Sequence, residues 1–130
     1  GVTISLKNWF GAINNPNKYH DDNCDPFIAD INSVLKEKQR LIVWDALTAQ
    51  YESGPSYRRK YAWNFNGLIL ATDPVALDTI GLEIIDNKRK ENGLEIISKS
   101  GCPPKHIATA ADREHKLGTN NRTKINVVKI

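Results

Sequence analysis

Three short strand-like stretches in this sequence, one alternating and two apolar, each end on polar residues able to hold or move charge. Lys7 and Asn8 close the run at residues 2–6, Asp45 follows residues 41–44, and Thr72 and Asp73 follow residues 68–71. If those runs are strands of one parallel sheet, their carboxyl ends share a rim, and open parallel sheets bind ligands at that rim. Lys7 would neutralise an anionic group there, while Asp45 and Asp73 would bind a divalent cation or move a proton. Asn8 and Thr72 would line the same site, and Asp78, just over one helical turn beyond Asp73, would back it. Each residue also has a plainer reading. Asp73 before Pro74 is what a helix N-cap looks like, a device worth ~1 kcal/mol. Asp78 could be a solvated or ion-paired helix side chain, Asp45 a strand exit, and Lys7 an exposed lysine.

Other chemistry-bearing clusters are weaker. His20-Asp21-Asp22-Asn23-Cys24-Asp25 is rich in metal-capable atoms but lacks the alternating acidic pattern and central glycine of a calcium loop, so it reads as a hydrated loop leading to a helix cap. Cys24 and Cys102 form no CxxC pair, so this chain alone builds neither a structural zinc site nor an iron–sulfur cluster. His106 and His115 are isolated and read as surface or packing histidines. Residues 51–63 mix aromatics with Arg58, Arg59 and Lys60, a pairing that can face polyanions but as one cluster falls short of a nucleic-acid signature. There is no glycine-rich phosphate loop and no GxSxG elbow.

The elements that must position these residues follow from periodicity. Residues 2–7 alternate apolar and polar, the period of a half-buried strand. Asp25-Pro26 reads as a helix start, followed by Phe27, Ile28, Ile31, Val34 and Leu35 at one-face spacing and a basic end. Residues 41–44 and 68–71 read as strands buried on both faces, as in a parallel sheet. Between them, residues 46–66 read as a long loop, a functional cover or a partner-binding segment. Asp73-Pro74 opens a second helix that runs through Lys88, Arg89 and Lys90 and stops near Gly93. A third helix is expected over about residues 104–116, and residues 124–130 read as a final strand. The resulting fold class is α/β: a layered, largely parallel sheet flanked by helices.

The chain has 130 residues and 14.6 kDa, enough for one domain over residues 1–130. Its 40% hydrophobic and 25% charged residues exclude a disordered tail or a coiled coil, and no apolar run is long enough to span a membrane. The +3 net charge mixes both signs, which favours solubility and a weak preference for anions over nucleic acid. The chain opens Gly1-Val2-Thr3 and contains no Met, so it is expected to be a fragment or a processed product of a larger domain, cytoplasmic or exported with its signal removed.

Several of these segments occur in a familiar order. Gly1-Val2-Thr3 with Leu6-Lys7-Asn8 and Gly11, Ile28-Ala29-Asp30-Ile31, Ile42-Val43-Trp44-Asp45-Ala46, Gly54-Pro55, Thr72-Asp73-Pro74-Val75-Ala76-Leu77-Asp78 and His115-Lys116-Leu117-Gly118 together resemble the C-terminal part of the domain of unknown function 362. The Thr-Asp-Pro-Val-Ala-Leu-Asp stretch is the most specific of them. Some members of that family are joined to iron–sulfur ferredoxin modules, so the resemblance implies a redox partner protein. Two functional readings result. One is a domain, enzymatic or not, that binds a small anionic ligand together with a divalent cation through Lys7, Asn8, Asp45, Thr72, Asp73 and Asp78. The other is a non-catalytic interaction module that uses the aromatic and basic residues of 46–66.

Overall fold

The computed structural model describes all residues, Gly1–Ile130. Three helices, α1 (Phe27–Leu35), α2 (Pro74–Glu91) and α3 (Lys105–Ala110), pack with one hairpin made of β1 (Ile42–Gln50) and β2 (Ala62–Ala71). Short 3-10 turns join them. The chain is thus a mixed helix and strand domain.

The expected layered, parallel sheet is replaced by two antiparallel strands, with Ile42 opposite Ala71 and Gln50 opposite Ala62. The runs at 41–44 and 68–71 do form strands, but their outer sides are open: Val43, Leu68 and Leu70 are exposed, whereas Trp44, Ile69 and Ala71 turn inward. Residues read as a long loop supply most of the hairpin's length. A bulge between Ala46 and Thr48 breaks the strict alternation that would have marked them as strand, and Asn66 opposite it has φ 58.

The expected first strand is also absent. Residues 2–6 are buried at Val2, Ser5 and Leu6 yet form no ladder, and a 3-10 turn, Leu6–Gly11, follows. Buried backbone must still be satisfied, and here side chains from two helices do it. Ser5 N and Leu6 N donate to the Asp78 carboxylate of α2 at 2.7 and 3.3 Å. Asn32 of α1 donates from Nδ2 to Leu6 O at 2.8 Å and to Ile28 O at 2.7 Å. Residues 124–130, the expected last strand, contain only the end of a 3-10 turn and otherwise no regular structure.

Helix α2 follows its sequence signals closely. Asp73 caps it by accepting from Ala76 N at 2.8 Å, Pro74 occupies the first turn, and Gly93 with φ +70 lies just past its end. Helix α1 starts one residue later than expected: Pro26 takes the cap position and Asp25 makes no capping bond. The expected third helix is short, because the chain turns after Ala110. The main core gathers Leu6, Phe10, Cys24, Ile28, Ala29, Val75, Ile107 and Ala110, and a smaller cluster of Val2, Ile85 and Ile97 sits beneath the hairpin's Trp63 and Tyr51.

One ion-pair cluster fixes the tail of α3 to α1. His115 contacts Asp112 through Nδ1 at 3.0 Å and Asp30 through Nε2 at 3.1 Å, while its own ring is nearly buried. Burial opposes its charged form, but the hydrogen bonds to Asp30 and Asp112 outweigh that and hold its pKa above the usual histidine value. The Asp112 carboxyl is held below the usual range, first by the backbone N–H of His115. A raised histidine contributes stability that is complete below its unfolded pKa, near 6.5, and is lost as pH climbs through the folded value. The His115→Gln variant is therefore expected to lose about 1 kcal/mol against the parent at mildly acidic pH and progressively less toward alkaline pH. Urea unfolding of both proteins across that interval measures it; a gap that does not shrink as pH rises contradicts the clamp.

Candidate functional site

A cleft of about 810 Å³ lies between the amino-terminal segment, the loop following β1, and the stretch leading into α3. One wall carries Lys7, on the turn that the Asp78 and Asn32 bonds hold in place. Lys7 Nζ lies 5.8 Å from the Phe10 ring centroid and takes part in none of the ion pairs of the structure.

The opposite wall carries His106, Cys24 and Cys102. His106 comes from the first turn of α3, is 3% exposed, and has no hydrogen-bond partner at Nε2. That nitrogen sits 3.6 Å from Asp78 Oδ2, whose carboxylate is already engaged by Ser5 and Leu6. Cys102 Sγ lies 3.0 Å from Asn23 Oδ1, and both cysteines are free thiols. Asp22, Asn23 and Cys24 all have positive φ, a backbone that shapes this rim and leaves no regular acidic loop.

The third wall is the end of β1 and its loop, and α2 holds it through Arg89. Arg89 Nε donates to Glu95 O at 2.7 Å, Nη1 donates to Tyr51 O at 3.0 Å, and the guanidinium pairs with Glu52. That hydrogen bond from Arg89, against a smaller opposing effect of burial, keeps the Glu52 carboxyl below the usual range.

Of the six candidate site residues Lys7, Asn8, Asp45, Thr72, Asp73 and Asp78, Lys7 alone lines the cleft, where it is joined by His20, Asn23, Cys24, Cys102 and His106. Asn8 is exposed beside it on the same turn. Asp45 stands on the outer, exposed face of β1 and accepts from Leu47 N at 2.9 Å. Thr72 is exposed between β2 and α2. Asp73 uses both oxygens: Oδ1 caps α2, and Oδ2 accepts from Thr119 N at 2.9 Å. A Cβ on Gly118 would overlap that carboxylate, so the close approach of residues 118–119 requires glycine there. Asp78 is completely buried behind the amino-terminal segment and faces His106. No group of three or more His, Cys, Asp or Glu side chains is arranged to hold a metal ion.

Sequence reasoning missed Asn32, His106 and Arg89. Asn32 had a signal, being a polar residue one turn after Ile28 on the apolar face of α1. Arg89 was assigned only to the basic end of α2, and His106 had no local signal at all.

The geometry also explains the most specific stretch of the sequence. In Thr72-Asp73-Pro74-Val75-Ala76-Leu77-Asp78, the first aspartate starts α2 and pins residues 118–119, and the second grips Ser5 and Leu6. The Gly-Val-Thr segment and the Asp-Pro segment are therefore two halves of one contact. No helix is long and apolar enough to cross a membrane. Comparison with curated proteins and with solved structures finds no match. The family model described as domain of unknown function (DUF362) matches residues 1–83, which contain both halves of that contact, and the chain belongs to that family.

Proposed function

We propose that the domain binds a small anionic ligand in the cleft, with Lys7 as its counter-charge and His106 as a second polar contact. The observation that carries this reading is a cationic side chain, Lys7, that takes part in no ion pair and stands on the wall of the cleft; His106 lines the same cleft, with its buried Nε2 turned toward Asp78 Oδ2 at 3.6 Å. The cleft volume, about 810 Å³, suits a small organic molecule. Asp45 and Asp73 stay outside this reading, because neither lines the cleft and both already accept backbone N–H groups. The geometry adds no support for a divalent cation between them or for a redox partner.

Thermal unfolding with added phosphate and with added citrate tests the reading, since a ligand that binds only the folded state raises Tm. At least one of the two anions is expected to raise Tm of the parent. Lys7→Gln is expected to weaken that anion by about tenfold while leaving the unliganded Tm close to the parent. No shift in the parent with either anion, or an equal shift in parent and variant, refutes the proposal.

A further inference from the structure

The apolar surface of residues 46–66 and their neighbours lies on strands, not on a loop. Val43, Leu47, Leu68 and Leu70 are 56, 51, 60 and 60% exposed on the outer face of the hairpin. The register sets Val43 opposite Leu70 and Asp45 opposite Leu68, so the patch is continuous with one charge, Asp45, inside it. β1 also has a free edge, since the sheet has no third strand. A bare two-stranded sheet with an open edge and an apolar face is a template for another strand.

The chain carries a second feature of the same kind. Residues 124–130, Lys-Ile-Asn-Val-Val-Lys-Ile, have strand composition and pair with no strand. Val127, Val128 and Ile130 are exposed.

We infer that residues 124–130 of a second copy of this chain add to the free edge of β1, forming a two-fold dimer in which each copy donates its terminal segment to the other's sheet. Strand addition supplies main-chain hydrogen bonds along the edge, and reciprocal exchange closes the assembly. Alternation places Ile125, Val127 and Lys129 on one side of the added strand. Turned to the outer face, the two aliphatics extend the row of Val43 and Leu47, and Lys129 brings a cation to the side that holds Asp45.

Sedimentation velocity at micromolar chain concentration is expected to show a dimer. A chain ending at Asn126 is expected to be monomeric with an unchanged circular dichroism spectrum, because the residues removed are exposed. Asp45→Lys is expected to weaken the dimer about tenfold, and adding Lys129→Asp to restore it. A monomeric parent, a truncated chain that still dimerises, or a charge swap without rescue overturns the inference. None of these readouts involves Lys7 or an added anion, so the outcome is separate from that of the cleft.

Discussion

Asp78→Ala is expected to cost about 4 kcal/mol and to release the amino-terminal segment from the body of the domain, because two buried N–H groups lose their acceptor at once. The carboxylate is fully buried and accepts from Ser5 N and Leu6 N. No strand ladder stands ready to take over, since residues 2–6 pair with no β-strand. Each unpaired buried donor costs about 1–3 kcal/mol, and the small cavity left behind adds to it. Asp78→Asn keeps one acceptor oxygen but turns an NH2 toward the second donor, so about half of that cost is expected. Urea unfolding gives the totals, and hydrogen exchange at the Ser5 and Leu6 amides locates them. The anchoring role fails if Asp78→Ala loses less than about 1 kcal/mol, the scale of an ordinary surface change. Asn32→Ala attacks the same segment from the other side, by removing the donor to Leu6 O. Because Lys7 is held by these bonds, both variants are also expected to weaken anion binding in the cleft.

The contrast between Asp73 and Asp78 shows which part of this molecule is legible in its sequence. Asp73 acts on Ala76 N, three residues away, a local bond that the Asp-Pro pair suggests, although the same pair at Asp25-Pro26 makes no capping bond. Asp78 acts across more than seventy residues, and nothing near it in the chain signals a partner. The same division holds for the elements. Helix α2 is set by its cap, its basic last turn and Gly93, all local, and its bounds follow from sequence. The runs at 42–44 and 68–71 are strands as their composition implies, but whether they pair parallel or antiparallel depends on the chain between them. There a bulge disguises residues 46–50 and 62–66 as loop. Residues 2–7 and 124–130 alternate like strands and are not strands, because alternation states only what a segment would do beside a neighbour. For the candidate site, Lys7 is named from sequence as the end of a first strand in a parallel sheet, and the structure has no such strand, so its place beside the cleft rests on other contacts. His106 and Arg89 could not be named from sequence, since their importance lies in what the fold brings to them.

Arg89→Ala is expected to cost about 3 kcal/mol, the second largest loss, and its cause is again a buried group serving distant backbone. The guanidinium side chain is 9% exposed and joins three pieces of chain: Glu95 O after α2, Tyr51 O after β1, and the Glu52 carboxylate. Glu52 is a third exposed, so water will solvate part of what alanine leaves unpaired, which keeps the loss near the lower end for a broken buried pair. The two carbonyls are less fortunate. Lysine in place of Arg89 has one ammonium and no fork, so it can follow one of these directions but not all three, and an intermediate loss is expected. The pair also carries a pH signature. A lowered carboxyl contributes stability that is present above its unfolded pKa, near 4.3, and is lost as pH falls through the folded value. The gap between parent and Arg89→Ala should therefore narrow on acidification, opposite in direction to the narrowing expected for His115→Gln. Guanidinium-free unfolding in urea across acidic pH measures both at fixed ionic strength. Equal stability of parent, lysine and alanine variants would show that the loop after β1 is held by its own contacts. The functional consequence separates Arg89 from Asp78. Loss of Arg89 frees Tyr51 and Glu52, which line a different wall of the cleft from the one that carries Lys7. An anion in the cleft is then expected to retain its counter-charge and lose its enclosure, so its affinity should fall less in Arg89→Ala than in Lys7→Gln even though the protein itself is the less stable of the two.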